Sequence, residues 1–259
     1  MLLLGVIRIF GEGSEQLINR TLDILTQAFL ASHHLGPRVI AKFANGYITE
    51  FIPGRHSSPD QRLLVAPAVA RTLARWHQIP LPNTVRHEFI WDTFSEWMRV
   101  ARESAVPVDL DLLEREVSRL RGLLSGTAAI GLVHGDLLWG NILFPERDSP
   151  EGQEAVFIDL EYAAPNPVPF DIANHWCEWA GFDGDYDKYP TPEQQREFLR
   201  MYLGNQATPA KVETLRRSCE QWALVSHLYW AKLRGNQSPI DYKAYGNIRL
   251  AEYWRNRNK

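Results

Sequence analysis

Two short stretches constrain this chain more than any others: HGDLLWGN at 134–141 and IDLE at 158–161. Each follows an apolar run that reads as a short strand, so each places polar groups where a strand ends. The segment Ile130–Phe144 reads as strand, loop, strand, and its loop presents the Asp136 side chain outward. Asn141 follows five residues later, and Asp159 ends the next apolar run, with Glu161 two residues beyond. If strand geometry persists through 161, Asp159 and Glu161 share one face.

Order and spacing suggest a chemistry. Transfer of a phosphoryl group to an alcohol needs the hydroxyl oriented and its proton accepted late in the reaction. Asp136 is the candidate for that base. Asn141 and Asp159 offer hard oxygen ligands suited to Mg2+, and Glu161 offers a further one, directly or through water.

The 259 residues hold one large domain or two small lobes, and 45% hydrophobic content is ample for a core. A formal net charge of −3 argues against a general nucleic-acid binder. Cys177 and Cys219 have neither CxxC nor metal-ligand spacing, which argues against a disulfide scaffold or a zinc site. The opening MLLLGVIRIF is too short to span a bilayer and lacks a cleavage pattern. It is expected to be a buried strand, in a soluble, cytoplasmic protein with no membrane span.

Along the chain, Gly5–Phe10 predicts a strand. Glu15–Ser32 predicts a helix, with Leu17, Ile18, Leu22, Leu25, Phe29 and Leu30 at three- and four-residue steps. Arg38–Lys42 and Tyr47–Phe51 predict a hairpin around the turn Ala44–Gly46, which carries an Asn-Gly signal. Beyond Gly54 the pattern turns mostly helical. Helices are expected at Ser58–His77, Asp92–Arg102, Leu110–Leu124, Asp171–Trp179, Pro192–Tyr202, Pro209–Lys232 and Tyr242–Trp254, with Thr208 as an N-cap followed by the first-turn proline Pro209. Ala155–Leu160 predicts a strand, and Pro165, Pro167 and Pro169 a rigid loop. The pattern gives a small strand-rich part and a larger helical part meeting near Phe51–Gly54, with a cleft between them.

In the stretch FDIANHWCEW (170–179), Asp171 is expected to cap a helix, and Glu178 to lie near that helix's end. Trp179, Phe182, Trp230 and Tyr245 read as core residues by composition. Gathered around a carboxylate, they would instead form a box for an organic cation.

HGDLLWGNILF followed by FIDLEYAAPNPVPFDIANHWCEWAGFDGDYDKYPT resembles the choline/ethanolamine kinases, relatives of the aminoglycoside phosphotransferases. The resemblance runs from about Val6 to the C-terminus through VIRIFGEGSEQLINR, LGPRV, FANGYITEFIPG and ALVSHLYW, IDYKAY and RLAEYW. It implies an α+β, protein-kinase-like two-lobed fold with a truncated N-terminal antiparallel sheet and a mainly helical C-terminal lobe. Residues 1–53 would form the partial N-lobe and 54–259 the C-lobe. It implies ATP and Mg2+ as cofactors, Asp136 as catalytic base, and Asn141, Asp159 and Glu161 at the metal. Arg8 falls at the nucleotide phosphates. Asp23 stands where a Glu usually pairs with the basic residue at Arg8, which implies a longer or water-bridged contact. Glu50, Phe51 and Ile52 match the hinge that meets adenine. Glu178, Trp179, Phe182, Trp230 and Tyr245 fall at the substrate ammonium pocket. The middle residue of HGD, usually Asn, is expected to carry no direct role.

The resemblance further implies phosphorylation of ethanolamine, the first step of phosphatidylethanolamine synthesis. Choline kinases of the family usually carry a second Trp at the position of Leu233, and AGFDGDY is similar to ethanolamine kinases. The alternatives are a choline or dual-specificity kinase, or a truncated, weakly active relative. A homodimer is compatible with the family.

Overall fold

The computed structural model describes residues 4–11, 20–81, 87–103, 109–146, 155–231 and 242–258. Strands β1 (Gly5–Ile9), β2 (Val39–Phe43) and β3 (Gly46–Glu50) form an antiparallel sheet in the order β1-β3-β2. Helix α1 (Arg20–Ser32) joins β1 to β2. The start of the expected helix, up to Asn19, lies outside the described residues, as does Leu233.

One sequence expectation changes here. β1 is not buried: Ile7 and Ile9 are 63% and 65% exposed. The strand lies at the sheet edge, and among the described residues nothing covers its outer side, so only Arg8 turns inward. The expected hairpin forms, with Ala44 and Asn45 making the turn between β2 and β3, and neither Asn45 nor Gly46 needs a positive φ. Gly46 opens β3 opposite Ile9 and Phe43. Glycine is required there because a Cβ would stand 2.1 Å from the Arg8 carbonyl oxygen.

β4 (Gly54–His56) pairs with β6 (Ile142–Pro145) and not with the first sheet; β6 in turn pairs with β7 (Val156–Phe157). Between β4 and β6 come α2 (Arg62–His77), α3 (Phe89–Glu103), α4 (Leu110–Leu124) and β5 (Ile130–Val133). The expected helix from Ser58 begins as a single 3-10 turn, Pro59–Gln61, before α2. β8 (Ala164–Pro167) pairs with β5, so Pro165 and Pro167 stand in a strand, not in a loop. Two residues apart, the prolines face the same way, and a two-stranded ribbon tolerates their missing donors on its open edge. The remaining elements are α5 (Val168–Cys177), α6 (Pro192–Leu203), α7 (Pro209–Trp230) and α8 (Tyr242–Asn256). The Thr208 hydroxyl accepts from Lys211 N, with Pro209 at the first turn, as expected. No described helix is long and apolar enough to cross a membrane.

Every residue of α5 is buried, and α5 packs chiefly on α7. Trp76, Trp176 and Trp222 fill the core with Leu73, all fully buried. Leu73→Ala is expected to cost about 2–5 kcal/mol, by lost transfer energy and the cavity left behind. In urea this appears as a lower midpoint with an unchanged slope.

Candidate active site

The loop from His134 to Asn141 runs between β5 and β6, and its shape is imposed from below. Asp171, in the first turn of α5 and fully buried, accepts from His134 N (2.8 Å) and Gly135 N (2.9 Å). The same carboxylate meets His77 Nε2 of α2 at 3.0 Å. Asp171 is therefore a clamp on the loop; α5 starts earlier, at Val168, with Pro167 at the cap, so the capping role expected for Asp171 is corrected. Burial alone would raise its pKa. Bonding and charge from His77, with His134 and the Gly135 N–H, hold it below the ordinary carboxyl value instead.

Three more ties fix the loop. His134 Nδ1 accepts from Asp136 N (3.2 Å), and its Nε2 donates to Ile158 O (2.9 Å). His175 Nδ1 donates to Leu137 O (2.9 Å) and its Nε2 accepts from Trp179 Nε1 (3.2 Å). Asn174 Nδ2 donates to Gly135 O at 3.3 Å. Burial lowers the pKa of both histidines, that of His175 to about 4, so each is a neutral ring in one tautomer. Gly135 has φ +80, and a Cβ there would approach the Tyr162 carbonyl oxygen to 2.8 Å. The middle residue of HGD thus carries a backbone requirement that the sequence reading discounted.

On this loop Asp136 is half-buried, and Asn141 Nδ2 donates to its carbonyl oxygen (2.8 Å) and reaches its Oδ2 (3.4 Å). Ile158 N donates to Asn141 O (3.0 Å), which draws the second acidic stretch alongside. The strand has ended by then, at Phe157. Asp159 takes φ +64, a left-handed conformation that costs a non-glycine residue about 1–2 kcal/mol. Asp159 and Glu161 therefore do not share a face by strand pleat. They converge on one cation: Arg8 Nη1 meets Asp159 Oδ1 at 2.5 Å, and Nη2 meets Glu161 Oε2 at 2.6 Å.

Arg8 Nε lies 3.7 Å from Asp23 Oδ2, the longer contact expected of the shorter acid. Asp23 is buried and accepts from Tyr47 OH at 3.2 Å. Burial opposes the Arg8 charge, but Asp159 and Asp23 raise its pKa; burial raises that of Asp23 against the pull of Arg8. Among the described residues no group of three or more His, Cys, Asp and Glu converges for a metal. An ion here would use Asp159, Glu161 and the Asn141 amide oxygen, a hard donor set that magnesium accepts and that already seats a positive charge. In the segment expected to meet adenine, Phe51 N donates to Leu4 O (3.0 Å) and is already engaged, and the Glu50 carboxylate holds Arg38 Nε at 2.8 Å. Ile52 continues this segment before β4.

Glu178 sits in the 3-10 turn after α5, buried. Its Oε1 accepts from Tyr245 OH (2.8 Å) and Arg249 Nη1 (2.8 Å). Phe182, 44% exposed, lies 5.2 Å from Tyr245 between ring centroids. Trp230 stacks edge-on to Tyr162 at 5.5 Å and donates from Nε1 to Asn174 Oδ1 at 2.7 Å. Trp179, 1% exposed, lies within the core beneath the loop.

Asp171, Asn174, His175, His77 and Arg249 were missed as contributors. A signal existed for Asp171, Asn174 and His175, which with Glu178 recur at helical spacing in an otherwise apolar stretch. Buried polar side chains on one helix face need partners. His77 and Arg249 are lone residues on amphipathic helices and gave none.

The depressed Asp171 pKa makes its stabilisation present above the unfolded value of about 3.9 and lost as pH falls through the folded value. Asp171→Asn is expected to lower the urea midpoint at neutral pH, and the gap from the parent should shrink as both are taken toward about pH 3. A gap independent of pH would mean that Asp171 does not act as an ionised clamp.

A protein of Arabidopsis thaliana named probable choline kinase 3 is 35% identical over 96% of this chain and 77% of its own length. One named probable ethanolamine kinase, from the same plant, is 29% identical over 95% of this chain and 71% of its own. The solved structure of a Plasmodium vivax ethanolamine kinase superposes with a TM-score of 0.88 at 26% identity, covering 96% of this chain and 75% of that one. The model of the choline/ethanolamine kinase family matches residues 4–254, and the chain belongs to that family.

Proposed function

We propose that the protein transfers the terminal phosphoryl group of ATP to the hydroxyl of ethanolamine. The observation that carries this reading is Asn141 gripping Asp136 while the neighbouring Asp159 and Glu161 meet on one cation. Asp136 accepts the hydroxyl proton as the substrate oxygen bonds to phosphorus, the bond to the departing ADP oxygen breaks, and phosphoethanolamine forms. Its carboxylate can be aimed because the loop beneath it is tied at His134, Gly135 and Leu137. Magnesium held by Asn141, Asp159 and Glu161 would offset the charge of the nucleotide phosphates. Residues 1–53 form the nucleotide roof, with Arg8 at the phosphates, steadied by Asp23, and Glu50–Ile52 at adenine. Residues 54–259 carry the chemistry.

The ammonium is received by Glu178 and the aromatics Phe182, Trp230 and Tyr245, with Trp179 behind them. A primary ammonium donates to a carboxylate, whereas a quaternary one relies on aromatic faces. The aromatic pairs Phe182–Tyr245 and Tyr162–Trp230 favour choline as the second reading, and relatives bear both names.

Initial rates with ethanolamine and choline, with and without magnesium, test this; a parent protein that phosphorylates neither overturns it. Asp136→Asn is expected to keep fold and nucleotide binding but lose about a hundredfold or more in kcat, the range for a positioned base. Asp159→Ala should abolish the tightening of ATP binding by magnesium, read by titration calorimetry. Glu178→Ala should impair ethanolamine more than choline, because a charge-assisted hydrogen bond is lost; equal loss for both would refute a carboxylate contact with the ammonium.

A further inference from the structure

We propose that Arg249 is a positioning residue for the amino-alcohol pocket, holding Glu178 and Tyr245 in place and tying them to the loop that carries Asp136. The inference rests on the reading of Glu178 as partner of the substrate ammonium. Arg249 lies in the middle of α8 with 1% of its surface exposed. A buried guanidinium persists only where charge and donors are met, and here each arm has a different task.

Nη1 donates to Glu178 Oε1 (2.8 Å) and to Tyr245 OH (2.7 Å), while Tyr245 OH itself donates to the same Oε1 (2.8 Å). Glu178 is thus pinned through one oxygen. Its Oε2 accepts no hydrogen bond among the described residues and remains for an ammonium N–H. Nη2 donates to Ser226 Oγ (2.6 Å), and Ser226 donates to Asn174 Oδ1 (2.7 Å). That oxygen also accepts from Trp230 Nε1 (2.7 Å). Asn174 Nδ2 reaches Gly135 O, one residue before Asp136. One side chain therefore spans three parts of the pocket, Glu178, Tyr245 and Trp230, and the catalytic loop.

The charges agree with this role. Arg249 Nε donates to His227 Nδ1 (3.1 Å), so that ring is neutral. Burial, with Arg249 beside it, drives the His227 pKa well down. Burial likewise keeps Cys177 a thiol, its pKa pushed up to about 11. Glu252, nearby on α8, is paired with Arg255. Arg249 and Glu178 consequently cancel, and the empty pocket carries neither a net anion to be trapped by bulk cations nor a net cation to repel the substrate. Lysine would keep the charge but not the planar fork that serves several acceptors at once.

The test compares KM for the amino alcohol and for ATP in the parent, Arg249→Lys, Arg249→Met and Arg249→Met/Glu178→Met; the double variant leaves no unpaired buried charge if the single one fails to fold. The expected result is an amino-alcohol KM raised about tenfold or more in Arg249→Met and in the double variant, with a smaller rise in Arg249→Lys. KM for ATP should stay near the parental value. A residue that merely props the fold would lower the active fraction and Tm and leave both KM values alone. That outcome, a parallel rise in both KM values, or failure of all three variants to fold overturns the proposal. A parent without amino-alcohol turnover would overturn the functional reading itself, whereas an active parent with unchanged KM in the variants overturns only the role of Arg249.

Discussion

The clamp between Asp171 and the backbone of His134 and Gly135 is the contact on which the rest of the site depends. It joins a wholly buried helix to the loop that bears Asp136. A fully buried carboxylate is expensive unless its lone pairs are met. Here they are met by the two backbone donors that the loop would otherwise leave unpaired, together with His77. Each side satisfies the other, and the loop conformation is fixed without help from a substrate. Asn174 and His175 extend the same logic along the same face of α5, taking Gly135 and Leu137.

Arg8 performs the corresponding service between the first sheet and the second acidic stretch. It leaves an exposed edge strand and reaches Asp159 and Glu161 on the far side, with Asp23 behind it. Three acids around one guanidinium explain how a left-handed Asp159 is sustained: the ion pair rewards the conformation that exposes its carboxylate.

Local patterns were legible wherever local chemistry decides. α4 has its expected limits, Leu110–Leu124, and α7 starts at the Thr208–Pro209 cap, because periodicity and capping act within a few residues. The acids and amide of the two motifs were legible as a set because their spacing carries the chemistry. What stayed hidden depends on partners far away in sequence. The expected strand through Leu160 ends at Phe157 because Asp159 turns toward Arg8, 151 residues distant. The apolar N-terminal strand looks buried from composition, yet its place at a sheet edge exposes it. Arg249 resembles any solvated arginine on a helix until His227, Ser226 and Glu178 are brought around it.

The neutral tautomers of His134 and His175 have a consequence for how the loop answers acid. A proton added to His134 would turn its Nδ1 into a donor facing the Asp136 N–H. One added to His175 would set its Nε2 against the indole N–H of Trp179. In both cases two hydrogens would occupy the space of one bond, in the interior, with no solvent to relax them. The imidazoles thus act as proton-intolerant struts: acidification breaks the scaffold beneath Asp136 before it offers that scaffold a new charge to use.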